Sequence, residues 1–95
     1  MSKIKPVEGY IYFTETQLVK LEHAIGFDFQ LVQNNKFIST RNYYSCDRID
    51  EDWEYLSAVG YAKRINRGKK YPIYTVTRKG KNFIQRVTNV KIIDA

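Results

Sequence analysis

The chain holds one cysteine, Cys46, and one histidine, His23, of the two residue types that build structural zinc sites. A single thiol permits neither an intrachain disulfide nor a cysteine-based zinc site, and it fits a reducing, cytoplasmic setting. Cys46 reads as a small packing residue. His23 has no second histidine or carboxylate at metal-ligand spacing, so it reads as an exposed or packed side chain. No run approaches the roughly 20 apolar residues of a membrane span. Residues 4–13 lack the apolar stretch and small-residue cleavage site of a signal peptide. There is no glycine-rich phosphate loop after a strand and no Ser or Cys paired with a His at recognisable spacing. The chain therefore reads as a non-enzyme, with no catalytic residue, cofactor or metal, and with no membrane partner.

Acid is missing from one half. Residues 61–95 carry ten Lys/Arg and a single carboxylate, Asp94, whereas residues 1–60 carry six Lys/Arg and nine Asp/Glu. The formal charge of +6 is thus concentrated in the C-terminal third, which suits an anionic partner there. What is present suffices for one small domain over 1–95: 43% of residues are hydrophobic and 15% aromatic. The ends, 1–8 and 90–95, read as flexible, with the second also able to pair as an edge strand.

Tyr10 to Phe13 has strand character. Thr14 and Gln17 have capping-box spacing, which predicts a helix over about 15–25 with Leu18, Leu21 and Ile25 inward and Gly26 as its stop. Residues 27–45 are ambiguous between helix and strand. Asn34-Asn35 signals a turn, and 41–45 a strand. Asp47 or Asp50 caps a second helix to about Val59, with Ile49, Trp53 and Leu56 inward. Thr77 caps a third, from Arg78 to about Val87, with Phe83, Ile84 and Val87 inward.

Between the last two helices lies the most informative stretch. Tyr61–Ile65 and Tyr71–Val76 are β-prone, and Gly68 between them can supply the positive φ of a hairpin turn. Pro72 has no N–H to give a ladder, so it belongs at a strand start or edge. Lys63, Arg64, Arg67, Lys69 and Lys70 crowd this hairpin without an acid among them.

The pattern Trp53-x-x-Leu56-x-x-x-Gly60-Tyr61-x-x-Arg64, followed by Tyr74-x-Val76-Thr77-x-x-Gly80, resembles the winged-helix superfamily, most closely the MarR- and PadR-type regulators. The resemblance covers residues 49–83. It implies an α+β winged helix, a helix-turn-helix variant of three or so helices with a small antiparallel sheet and a C-terminal hairpin wing. In it Gly60 reverses the chain, Tyr74 and Val76 seat the wing, and Gly80 admits a neighbouring backbone. With its LEHAIGF (21–27) and RNYY (41–44) stretches and its ending, the whole chain is also similar to small uncharacterised proteins of tailed phages and prophages, which implies the host cytoplasm. The implied partner is duplex DNA, contacted by Lys63, Arg64, Arg67, Lys69 and Lys70 of the wing and by Arg78, Lys79 and Lys81 of the last helix. One feature departs from the family. The helix before the wing begins among Asp47, Asp50, Glu51, Asp52 and Glu54, and two like charges 6 Å apart cost roughly 2–3 kcal/mol at an effective dielectric near 20. Those acids suit the positive end of the helix dipole better than a DNA groove. The alternative partner is a protein or a second copy, for which Tyr43, Tyr44, Tyr61 and Tyr71 are candidate anchors.

Overall fold

A computed structural model describes residues 3–4, 13–66 and 68–95. The chain order is β1 (Lys3–Ile4), β2 (Phe13–Thr14), α1 (Glu15–Ala24), a 3-10 turn (Phe29–Leu31), β3 (Lys36–Ser39), β4 (Tyr44–Ser45), α2 (Glu51–Ala58), β5 (Ala62–Arg64), β6 (Ile73–Val76), α3 (Arg78–Thr88) and β7 (Lys91–Asp94). The class is α+β, with three α-helices among the described residues. The strand character read at residues 10–12 and most of the N-terminal end lie outside the described residues.

All three helices start on a side-chain cap. Thr14 Oγ1 accepts from the Gln17 N–H and Gln17 Oε1 from the Thr14 N–H, so the capping box forms in full. Asp50, not Asp47, caps α2 through the Trp53 N–H, and Thr77 caps α3 through the Gly80 N–H. The first two helices end alike. Gly26 and Gly60 take φ of +72° and +88°, and each lets two N–H groups return to the last turn: Gly26 to His23 O and Phe27 to Glu22 O, then Gly60 to Ser57 O and Tyr61 to Leu56 O. Such a stop satisfies carbonyls that would otherwise be orphaned and turns the chain sharply.

Trp53 and Leu56 are fully buried, but Ile49 is 60% exposed. It precedes the Asp50 cap, so the helical spacing that placed it inward does not extend to it. In the ambiguous stretch, Asn34 and Asn35 both have positive φ, and Gln33 and Lys36 exchange backbone hydrogen bonds around them. That tight turn launches β3. The strand read at 41–45 shrinks to Tyr44–Ser45.

Two sheets organise the body. β4, β6 and β5 form an antiparallel sheet with β6 central, in register Tyr44↔Tyr74 and Lys63↔Thr75. Pro72 stands just before β6, where its carbonyl accepts from the Cys46 N–H and no ladder bond is asked of its nitrogen. β3 and β7 pair in parallel, Phe37↔Ile92 and Ile38↔Ile93. The C-terminal residues read as a flexible end or an edge therefore take the paired form, because Val90 and Ile92 are buried in the core. β1 pairs with β2.

The core is largely aromatic. Trp53 stacks on Tyr74 at 5.4 Å and Tyr61 on Phe83 at 4.5 Å, with Phe13 edge-on to Phe83 at 4.7 Å. Gly80 lies so close to the β5 entry that a Cβ there would run into the Tyr61 carbonyl and sit 2.7 Å from Val76 Cγ1. Between β4 and β5 the described residues hold α2 alone, so no pair of helices joined by a turn forms there.

Candidate nucleic-acid interface

The β5–β6 hairpin is braced from within. Ile65 N–H donates to Ile73 O at 2.9 Å. The Asn66 amide spans the loop, donating to Tyr71 O and accepting from the Ile73 N–H, both at 2.7 Å. Arg64 reaches under the tip and donates to Lys69 O at 3.0 Å. Gly68 takes φ +87° with open space around it, as the turn requires. At the root Tyr74 and Val76 are buried, so the arm is anchored where the sequence placed its anchor.

Eight cations were expected at this end, and the geometry divides them. Lys63, Lys69 and Lys70 are exposed, and among the described residues no carboxylate is ion-paired with them. Lys70 Nζ stands 5.4 Å from the Tyr71 ring centre. Arg67 lies outside the described residues. Arg64 is half-buried and spent on the tip carbonyl. The three at the start of α3 are each engaged by a partner in the fold. Arg78 and Lys81 both pair with Asp94, at 2.7 and 2.5 Å, and the Lys81 side chain is only 10% exposed. Lys79 donates to Val59 O at 3.1 Å and lies over the Tyr61 ring, covering the negative end of α2. Hydrogen bonding from Lys81 holds the Asp94 carboxyl below its ordinary range. Of these eight, the cations with no carboxylate or backbone partner among the described residues are therefore at the hairpin, while at the start of α3 Asp94, delivered by the register of β7, offsets one of three positive charges.

The acids of α2 are also spoken for. Asp50 and Asp52 clamp Lys20 Nζ at 2.7 and 3.0 Å, and Gln17 Nε2 donates to Asp52 at 3.2 Å. Burial opposes the charges, yet the Lys20 and Trp53 hydrogen bonds still lower Asp50, and both carboxylates raise Lys20. Glu54 accepts from the Tyr74 hydroxyl. Burial first and this carboxylate second push the Tyr74 phenol up to about 12. The residues of 47–54 thus bind the helices and sheet together, and do not draw the wing cations back onto themselves. Asp47 and Glu51 remain exposed.

Lys20 and Asn42 escaped the sequence reading. Lys20 is the single cation between Lys5 and Lys36, a scarcity that marks it as a candidate counterion. Asn42 mimics a strand residue, bonding both the Val76 N–H and carbonyl through its side chain. Nothing local announces that role. His23 is exposed and edge-on to Tyr44 at 5.6 Å. Cys46 lines an open groove of about 690 Å³ beside Lys20 and Asp50. Burial and the nearby Asp50 carboxylate raise its thiol, which keeps it protonated.

Among the described residues no helix is long and apolar enough to cross a membrane, and no group of three His, Cys, Asp or Glu could hold a metal ion. Comparison with protein-family models, with curated proteins and with solved structures finds no match for the chain.

Proposed function

We propose that the chain is a winged-helix-type protein that binds nucleic acid through its hairpin wing, with duplex DNA as the default ligand. The single observation that carries this reading is the set of exposed lysines on a braced arm, Lys63, Lys69 and Lys70, with no carboxylate paired to them among the described residues. Helix α2, Gly60, the hairpin and the Thr77-capped α3 follow in the order the resemblance implies. α2 itself is a poor groove reader, since its first turn carries Glu51, Asp52 and Glu54. Contacts by the wing alone touch phosphates, which fix position and carry no sequence information. The resemblance to phage and prophage proteins supports a host-cell setting for this binding, and the likeness to MarR- and PadR-type regulators supports a regulatory role.

The test is a mobility shift on generic duplex DNA at two salt concentrations. If Lys63, Arg67, Lys69 and Lys70 neutralise about four phosphates, log affinity falls against log salt with a slope of about −3.6, or roughly 150-fold for a fourfold rise in salt. Arg67→Glu with Lys69→Glu is expected to abolish the shift. A flat salt response, or no binding at low salt, rules the reading out.

A second reading, docking to a protein, is favoured by Phe29 and Leu31, which are 63% and 62% exposed on the same 3-10 turn. Sedimentation showing a monomer at all concentrations, with no loss of any partner on Phe29→Ser, excludes it.

A further inference from the structure

The β4–β6–β5 sheet has one face on the core and one face open. Tyr44, Tyr74 and Val76 point inward with Ala62. The alternation of side chains then puts Tyr43, Ile73, Thr75, Lys63 and Ile65 on the outer face. Register brings these residues together. Lys63 is opposite Thr75, and Tyr43 immediately precedes Tyr44, which pairs with Tyr74 beside Thr75. Ile65 pairs with Ile73 in the next row through its N–H. The ladder continues past β6, because Cys46 N–H donates to Pro72 O and Pro72 is buried. Tyr71, the residue before it, is exposed at the hairpin end of this sheet.

Tyr43 is 51% exposed and Tyr71 is 55% exposed. Each already carries a cation at one ring: Arg41 Cζ is 5.4 Å from the Tyr43 centre, and Lys70 Nζ is 5.4 Å from the Tyr71 centre. Tyr71 comes two residues before β6 and Tyr43 one residue before β4, and the two strands run antiparallel, so the rings stand towards opposite ends of this short ladder. The border carboxylate, Asp47, lies 3.6 Å from Arg48.

We propose that this outer sheet face, through Tyr43 and Tyr71, takes the unpaired bases of single-stranded nucleic acid while the wing lysines hold its phosphates. The inference rests on the nucleic-acid reading above and specifies the ligand class. The argument is chemical complementarity. Exposed rings offer π-faces to bases, and cations interleave with them as a polyanion requires. A rigid duplex buries its bases against each other and offers this flat face nothing to stack on. A folded protein partner would be expected to meet more apolar area and fewer lysines.

The experiment is fluorescence anisotropy with a labelled oligothymidylate of about 15 nucleotides and, in parallel, a labelled duplex. Tyr43→Ala and Tyr71→Ala are each expected to weaken the single strand about tenfold, and together about 100-fold, with duplex affinity changed less than about threefold. Tyr43→Phe with Tyr71→Phe keeps the rings and is expected to retain binding. Circular dichroism of each variant checks folding, which these half-exposed positions should not disturb. An unchanged single-strand affinity in the double alanine variant, or equal losses on both probes, overturns the inference while leaving wing binding in place. A wild-type protein that binds neither probe overturns both readings. Self-association abolished by the same alanines gives the face to a second copy and also overturns it.

Discussion

At the scale of single residues, the sharpest commitments are Tyr74 and Gly80. The Tyr74 phenol keeps its proton in the folded chain to about 12, whereas an unfolded tyrosine releases it near 10. Its folded pKa is raised, so its contribution is complete below pH 10 and is lost as pH rises from there through about 12. The loss amounts to about 2–3 kcal/mol. Tyr74→Phe should destabilise the protein by about 1 kcal/mol near pH 8, and in urea melts the gap to wild type should vanish and then reverse as pH rises from 10 to 12, because only the wild type titrates there. A gap that is constant with pH would mean the Tyr74 phenol is not raised in the folded chain. Gly80→Ala must push the Tyr61 carbonyl or Val76 aside. A loss of about 3 kcal/mol in the same melts is expected, and unchanged stability would show that the α3–β5 contact is looser than described.

Elements were legible in the sequence where the signal is local. Thr14 with Gln17, Thr77, and the glycines after α1 and α2 each fix a helix end through groups a few residues away. The hairpin was legible for the same reason, since Gly68 and the β-branched run beside it need no distant partner. What could not be read was what depends on long-range pairing. Residues 36–39 become β3 because β7 lies beside them more than fifty residues later in the chain, and no pattern within 27–45 contains that information. Ile49 was misplaced by one turn because Asp50, not Asp47, starts the helix. In the candidate site, the wing lysines were visible as a composition bias. The capture of Arg78 and Lys81 was not visible, since it depends on where Asp94 arrives in space.

For the molecule as a whole, part of the charge is sorted into three groups: Asp50 and Asp52 bound to Lys20, Arg78 and Lys81 bound to Asp94, and hairpin lysines with no paired carboxylate among the described residues. Asp94→Asn tests that sorting. It should raise duplex affinity by releasing Arg78 and Lys81, and steepen the salt slope by about one unit for each phosphate they gain. The same variant should lose some stability near neutral pH and none at low pH. The Asp94 pKa is depressed in the folded state, so its contribution is present above about 3.8 and fades as pH falls through the lower folded value. If melts and DNA affinity are both unchanged, the ion pairs have no role in either.

The parallel partnership of β3 and β7 has a mechanical corollary. It clasps a segment from the middle of the chain to its last few residues, and the closing entropy of so wide a loop is met only after the intervening parts have condensed. Peeling that final strand away would open the core at Ile92. It would also uncover two positive groups at the start of α3 in the same event, so breathing at one tip of the molecule and the electrostatic face it shows to an anion rise and fall together.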